Sequence, residues 1–216
     1  MRNPKRVVHS SSPDRGLKML LEMWPAILSE EPEAELHCFY GFSGWEKCVE
    51  AGLRVDIPWL SGNDLRQVKH LLRSLPRVTM HGRVGPARLA QEFLASGVMA
   101  ACHWFSETSC ISMMEAQAAG LYIVTTPIAA MNETVADRGT LVSGNWYQGG
   151  TDPERAEFVR RVVNAIRGIE QPKTREGLQA YAREHFDLDS LARDWDKMLR
   201  EELAGAEERV VPEWRE

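Results

Sequence analysis

The chain has 216 residues, 44% of them hydrophobic and 26% charged, with a formal net charge of −5, a profile that suits a globular protein with a real core. Lysines and arginines are scattered rather than gathered into a basic stripe, which argues against nucleic acid as a partner. The most apolar run, "FLASGVMAACHWF", falls short of the ~20 residues a bilayer span needs, and the basic start "MRNPKRVVHSSS" lacks the apolar stretch of a signal peptide. A cytoplasmic protein with no transmembrane segment is expected.

"RVVHS" (6–10) reads as a strand, and "SSPD" after it is rich in helix-capping residues. Leu17, Leu20, Leu21, Trp24, Ile27 and Leu28 recur at helical spacing until Pro32 stops the pattern. "AELHCFYG" (34–41) alternates as a second strand, and 42–61 predicts a short helix and a loop. An amphipathic helix over 62–76 carries Leu65, Val68, Leu71, Leu72 and Leu75. Further strands are predicted at 77–82, 98–104, 121–126 and 139–143, with a helix at 86–97 between a proline start and a glycine stop. Beyond about residue 150 the pattern is helical. One helix is expected to bury Ala156, Val159, Val162, Val163, Ile166 and Ile169. The last is expected to bury Leu188, Leu191, Trp195, Met198, Leu199 and Leu203. Strands alternating with helices, several continuously apolar, predict an α/β fold with a Rossmann-like, doubly wound parallel sheet of about six strands and a helical C-terminal end. The expected division is one domain over 1–205 and a charged tail over 206–216. The four cysteines lack metal-type spacing; Cys38, Cys102 and Cys110 read as small buried hydrophobes of a reducing compartment.

Ligands of open parallel sheets bind beyond the carboxyl ends of the strands, and three loops there carry chemistry. "HSSSPDRGL" (9–17) offers small hydroxyl residues (Ser11, Ser12), a helix N-terminus and Arg15, a combination that suits a phosphate; a plain cap by Ser12 or Asp14 accounts for it equally well. "MHGRVG" (80–85) places Gly82, Arg83 and Val84 where a planar base fits, or where a tight turn alone is needed. In "ETSCISMME" (107–115) Glu107 follows a strand, and Thr108, Ser109, Cys110 and Ile111 bring a helix's unpaired N–H groups. Eight residues at ~1.5 Å rise place Glu115 up to ~12 Å away, leaning back over the site. Carboxylate, N–H cluster and carboxylate match a ligand with hydroxyls at both ends and an anionic middle, as in a nucleotide sugar. Two solvent-facing glutamates are the plain alternative. Among the histidines, His103 in its apolar run reads as a hydrogen-bonded core residue, and His9 as a cleft-lining one.

"ETSCISMME" with the following "AQAAGLYIVTTPIAAMNETV", the opening βαβ-like segment and "VTMHGRVGPARLAQEFLASGVMA" come in an order that resembles the C-terminal, nucleotide-sugar donor-binding domain of retaining glycosyltransferases with the GT-B fold, family 4. The resemblance covers about residues 5 to 203. It implies that Glu107 holds donor-sugar hydroxyls and that Thr108, Ser109, Cys110 and Ile111 bind pyrophosphate and sugar through backbone N–H. It further implies Arg15 on the diphosphate, Glu115 on the ribose, Gly82, Arg83 and Val84 around the base, and Glu133 in a later turn. Glu107 and Arg15 are then the catalytic candidates. No metal or cofactor is implied. The family's extra arginine is replaced here by Ser10 or Ser11, and Thr108 and Cys110 stand where glycines are common. The family's acceptor domain has no counterpart here. The expected alternatives are therefore an excised donor half, a half-enzyme with a separate acceptor-binding chain, or a non-catalytic nucleotide-sugar-binding subunit. The acceptor is a saccharide, a lipid or another molecule. Trp45, Trp59 and Trp146 are candidates for a face that meets a partner, with core packing as their plain alternative. A nucleotide-sugar epimerase fragment is a third option, disfavoured by the missing glycine fingerprint.

Overall fold

The structure is a computed structural model and describes residues 2–52, 61–169 and 173–208. Strands β1 (Arg6–Ser10), β2 (Glu35–Phe39), β3 (Val78–Gly82), β4 (Val98–Ala101), β5 (Tyr122–Thr125) and β6 (Thr140–Leu141) form one parallel sheet in the order β3-β2-β1-β4-β5-β6. Every strand pair is parallel, as the continuously apolar runs predict. Successive residues point to opposite faces, so Val7 and Val98 enter one core and Val8 and Met99 the other. The first face packs under α1 (Leu17–Glu30), α2 (Ser43–Glu50), α3 (Gly62–Ser74) and α7 (Asp152–Arg167) through Leu20, Trp24, Trp45, Val68, Phe158 and Val162. The second packs under α4 (Pro86–Leu94), α5 (Ile111–Ala118) and α6 (Met131–Thr134) through Phe93, Met113, Ala116 and Met131. Two more helices follow, α8 (Arg175–His185) and α9 (Leu188–Glu208).

Several local expectations are corrected. Neither Ser12 nor Asp14 caps α1. Its N-cap is Gly16, in the left-handed region with φ 104°, and Asp14 instead takes a hydrogen bond from the Ser12 hydroxyl. Pro25 lies inside α1, which runs through it. In α7 the buried residues include Phe158 and Ala165, while Ala156 is exposed and Ile169 lies exposed beyond the Gly168 cap. Trp45 and Trp146 are core residues rather than parts of an open face, and Trp146 meets the Phe158 ring at 5.5 Å. Trp59 lies outside the described residues.

The largest correction concerns α9. Leu188, Leu191, Trp195, Met198, Leu199 and Leu203 are exposed, by 40–79%, instead of buried. Their helical spacing is as expected, but no described element of the chain covers the stripe they form. α9 runs to Glu208, and residues 209–216 of the tail lie outside the described residues. Among the described residues, no helix is long and apolar enough to cross a membrane.

Candidate functional site

The sheet order reverses at β1 and β4. β2 and β3 lie on one side of that pair, β5 and β6 on the other, and the chain leaves β1 and β4 in diverging directions. Such a switch point opens a crevice beyond the carboxyl ends of the strands. The loop after β1 brings Arg15 into it, and the loop after β4 brings Glu107.

A close backbone approach sets this meeting. A Cβ built on Gly16 would overlap the Cys102 carbonyl oxygen, and φ 104° disfavours any other residue there. The start of α1 therefore rests directly on the exit of β4. Arg15 donates from Nη1 to Glu107 Oε1, its guanidinium lies 4.0 Å from the Phe105 ring centroid, and Asp14 Oδ2 is 4.0 Å from its Nε. Both side chains are mostly covered, Arg15 by 28% exposure and Glu107 by 14%. The Trp104 indole N–H donates to the Asp14 carbonyl at 2.7 Å and ties the two loops together.

Glu107 is also fixed through its backbone, since its carbonyl accepts from the Ala130 N–H at 3.1 Å. Two threonines close the same seam. Thr125 Oγ1 donates to the Ala101 carbonyl at 2.8 Å and Thr126 Oγ1 to the His103 carbonyl at 2.6 Å. Behind them, Arg138 is buried and donates to Gln117 Oε1 at 2.8 Å and to the Glu133 and Thr134 carbonyls at 3.2 and 3.1 Å. Its guanidinium stacks 3.6 Å from the Tyr181 ring centroid, so the 126–138 segment is clamped onto α5 and α8. Sequence reasoning missed Thr125, Thr126, Gln117 and Arg138; the two threonines read as ordinary strand residues.

Thr108 and Ser109 are exposed at the mouth of α5, Cys110 is its buried N-cap, and Ile111 is exposed. No side chain caps the helix through a hydrogen bond, and the Cys110 carbonyl accepts from the Met113 N–H at 3.0 Å. Of the first-turn amides, that of Met113 is thus paired within the helix, while those of Ile111 and Ser112 precede its i→i−4 ladder at the crevice end. Burial pushes the Cys110 thiol pKa up, so the group is a neutral packing element. Glu115 lies further along α5, exposed, in the wall of a groove of about 220 Å³ shared with Pro86, Leu89 and Phe93. Partial desolvation raises its carboxyl pKa, and it has no hydrogen-bond or ion-pair partner among the described residues.

Ser11 and Ser12 are half-buried in the loop after β1. Gly82 ends β3 with φ 70° and open space beside it, Arg83 is exposed, and half-buried Val84 packs against the α4–α5 side of the core. Glu133 is exposed on α6, and its carbonyl rather than its carboxylate makes the described contact. The expectation that His9 lines the cleft is overturned. It is fully buried, its Nδ1 lies 3.3 Å from the Ala100 carbonyl, and burial holds its pKa down at about 4. His103 is buried as expected, but neither ring nitrogen has a hydrogen-bond partner among the described residues, and burial lowers its pKa to about 3. Both rings are held neutral. Among the described residues, no group of three or more His, Cys, Asp or Glu side chains is placed to hold a metal ion.

Residues 5–166 match the family model described as glycosyl transferases group 1. No curated protein matches the sequence. Among solved structures, the chain is similar to the pneumococcal O-GlcNAc transferase GtfA in complex with UDP and GlcNAc, at 16% identity and TM-score 0.65, covering 94% of this chain and 36% of that one. It is similar to Anabaena HepE in complex with UDP and glucose at 18% identity and TM-score 0.67, covering 92% and 49%. It also resembles sucrose-phosphate synthase from Thermosynechococcus elongatus at 15% identity and TM-score 0.68, covering 95% and 47%. The chain thus spans less than half the length of these structures. The family match over three quarters of the sequence, together with the Rossmann-like sheet shared with GT-B enzymes, shows that the chain belongs to the glycosyl transferases group 1 family.

Proposed function

We propose that the chain is the donor-binding half of a retaining glycosyltransferase, the C-terminal domain of a family 4 GT-B enzyme, and that its crevice takes a nucleoside-diphosphate sugar. The observation that carries this reading is the meeting of Arg15 and Glu107 across the switch point, beside the uncapped mouth of α5. That arrangement presents a cation and a row of amides to an anion, with a carboxylate at its edge for sugar hydroxyls. In this scheme the diphosphate rests on the amides of Thr108, Ser109, Cys110 and Ile111, with Ser11 and Ser12 opposite. Arg15 turns from Glu107 to the phosphates, and the released Glu107 carboxylate accepts from the sugar. Glu115 takes the ribose hydroxyls, and Gly82, Arg83 and Val84 frame the base. Catalysis is electrostatic: Arg15 and two helix N-termini stabilise the charge that grows on the departing diphosphate. The scheme uses no metal and no cofactor, and it assigns no nucleophile. HepE and GtfA were solved with UDP, which makes uridine the first base to test.

A second reading is a nucleotide-sugar-binding subunit that acts only with a separate acceptor-binding body. The uncovered apolar stripe of α9 favours a further body of some kind, and GtfA is also known from a GtfA/B complex. The acceptor is a saccharide, a lipid or another hydroxyl-bearing molecule. Calorimetry with UDP, GDP and ADP tests the shared core of both readings, and binding of at least one is expected. Failure of all three removes both. Donor hydrolysis by the chain with and without a candidate acceptor-binding chain then separates enzyme from subunit.

A further inference from the structure

β2 is followed by Tyr40 with φ 90°, and the neighbouring β3 ends in Gly82 with φ 70°. Glycine adopts that conformation freely; a tyrosine there is an outlier held by its surroundings. The Tyr40 N–H donates to the Gly82 carbonyl at 3.0 Å, which fixes the backbone and turns the ring outward. The ring is 41% exposed, so core packing does not account for it. Instead it forms a wall of a groove of about 400 Å³ whose other sides include Ser12, Asp14, Trp45 and Arg83. The Arg83 guanidinium lies 5.2 Å from the ring centroid. The groove thus joins the loop that carries Arg15 to the loop that follows β3.

We propose that Tyr40 supplies the stacking surface for the base of the bound nucleotide, with the Arg83 guanidinium flanking it. This rests on the donor-binding reading and adds to it a residue that no sequence motif marks. An aromatic face accepts the π-surface of any base, so the ring contributes affinity without choosing among bases. The strained backbone fits this role, because it presents a flat ring to ligand that a relaxed strand end would turn elsewhere.

The test uses Tyr40→Gly, which removes the ring while suiting the left-handed backbone, and Tyr40→Phe, which keeps the ring. Calorimetry is run with whichever of UDP, GDP or ADP the wild-type chain binds. Tyr40→Gly is expected to weaken binding roughly 5- to 100-fold, the scale of base–aromatic stacking, and Tyr40→Phe to stay within about twofold of wild type. The melting temperature of Tyr40→Gly is expected to hold or rise. Unchanged binding in Tyr40→Gly overturns the proposal, as does an equal loss in Tyr40→Phe or a lowered melting temperature, which would make the ring structural. A wild-type chain that binds none of the three nucleotides refutes the donor reading itself, and this assignment with it.

Discussion

The Arg15–Glu107 contact predicts a measurable coupling between two residues 92 positions apart. Two unit charges at contact distance attract by about 4 kcal/mol at the effective dielectric of a partly covered site, before desolvation and side-chain ordering are subtracted. Fully exposed pairs retain about 0.2–1 kcal/mol after that subtraction. Here exposure is 28% and 14%, and the guanidinium is held against Phe105 independently of Glu107, so part of the ordering cost is already met. A coupling of about 1–2 kcal/mol is expected from the cycle of wild type, Arg15→Met, Glu107→Gln and the double variant, measured by urea unfolding. The same four proteins, titrated with the nucleotide that binds wild type, should show Arg15→Met weakening binding by about 10- to 100-fold, on the scale of a lost charged hydrogen bond. Glu107→Gln should bind the nucleoside diphosphate at least as well as wild type, because the competitor for Arg15 is gone. Stability effects that add within ~0.3 kcal/mol would show that the contact is not formed in solution. Weaker diphosphate binding in Glu107→Gln would refute the competition between carboxylate and phosphate.

Three more outcomes follow from the geometry. Gly16→Ala combines an unfavourable backbone region with overlap of the Cys102 carbonyl, and should cost about 2–4 kcal/mol in urea unfolding; a loss below ~1 kcal/mol would deny the close approach. His9 and His103 take up protons near 6.5 when unfolded, but only near 4 and 3 when folded. The unfolded chain therefore binds more protons between these values, and stability is full above about pH 6.5 and falls as the pH drops toward 4, by roughly 3 kcal/mol for each histidine. His103→Phe should remove about half of that slope, and parallel pH profiles for variant and wild type would contradict it. Glu115→Ala should weaken nucleotide binding by ~1–3 kcal/mol, read by calorimetry, and wild-type affinity in that variant would cancel the ribose assignment.

What the sequence showed depends on how local the signal is. The six strands follow from apolar runs of four to six residues between helical patterns, and the loop positions of Arg15 and Glu107 follow from the strands. The fit of Gly16 against Cys102 does not, since it is a contact between segments 86 residues apart with no signature in either. Gln117 and Arg138 were invisible for the same reason: their clamp exists only once α5, α6 and α8 are assembled. His9 was misplaced because alternation along a strand gives a face, and in a sheet covered on both sides either face is interior. The stripe of α9 was legible as a stripe; periodicity shows that a helix has an apolar face and says nothing of whether this chain covers it.

The two glutamates of the 107–115 stretch differ in how far the fold commits them. Glu107 is fixed by its carbonyl to Ala130 and by its carboxylate to Arg15, whose own position is set by Phe105 and by the Gly16 approach. Glu115 has no such tether among the described residues, and the groove it shares with Pro86, Leu89 and Phe93 is otherwise apolar. In the donor reading, the diphosphate end is therefore held by the Arg15–Glu107 pair until the diphosphate competes for Arg15, and the ribose end is ordered by the ligand. Ordering a glutamate side chain costs on the order of 1–2 kcal/mol, which offsets much of what its hydrogen bonds to ribose return. Each end thus carries a cost on binding: side-chain ordering at the ribose end, and loss of the Arg15–Glu107 contact at the diphosphate end. Glu115 is left with the smaller net share set by the difference between its hydrogen bonds to ribose and the cost of ordering it.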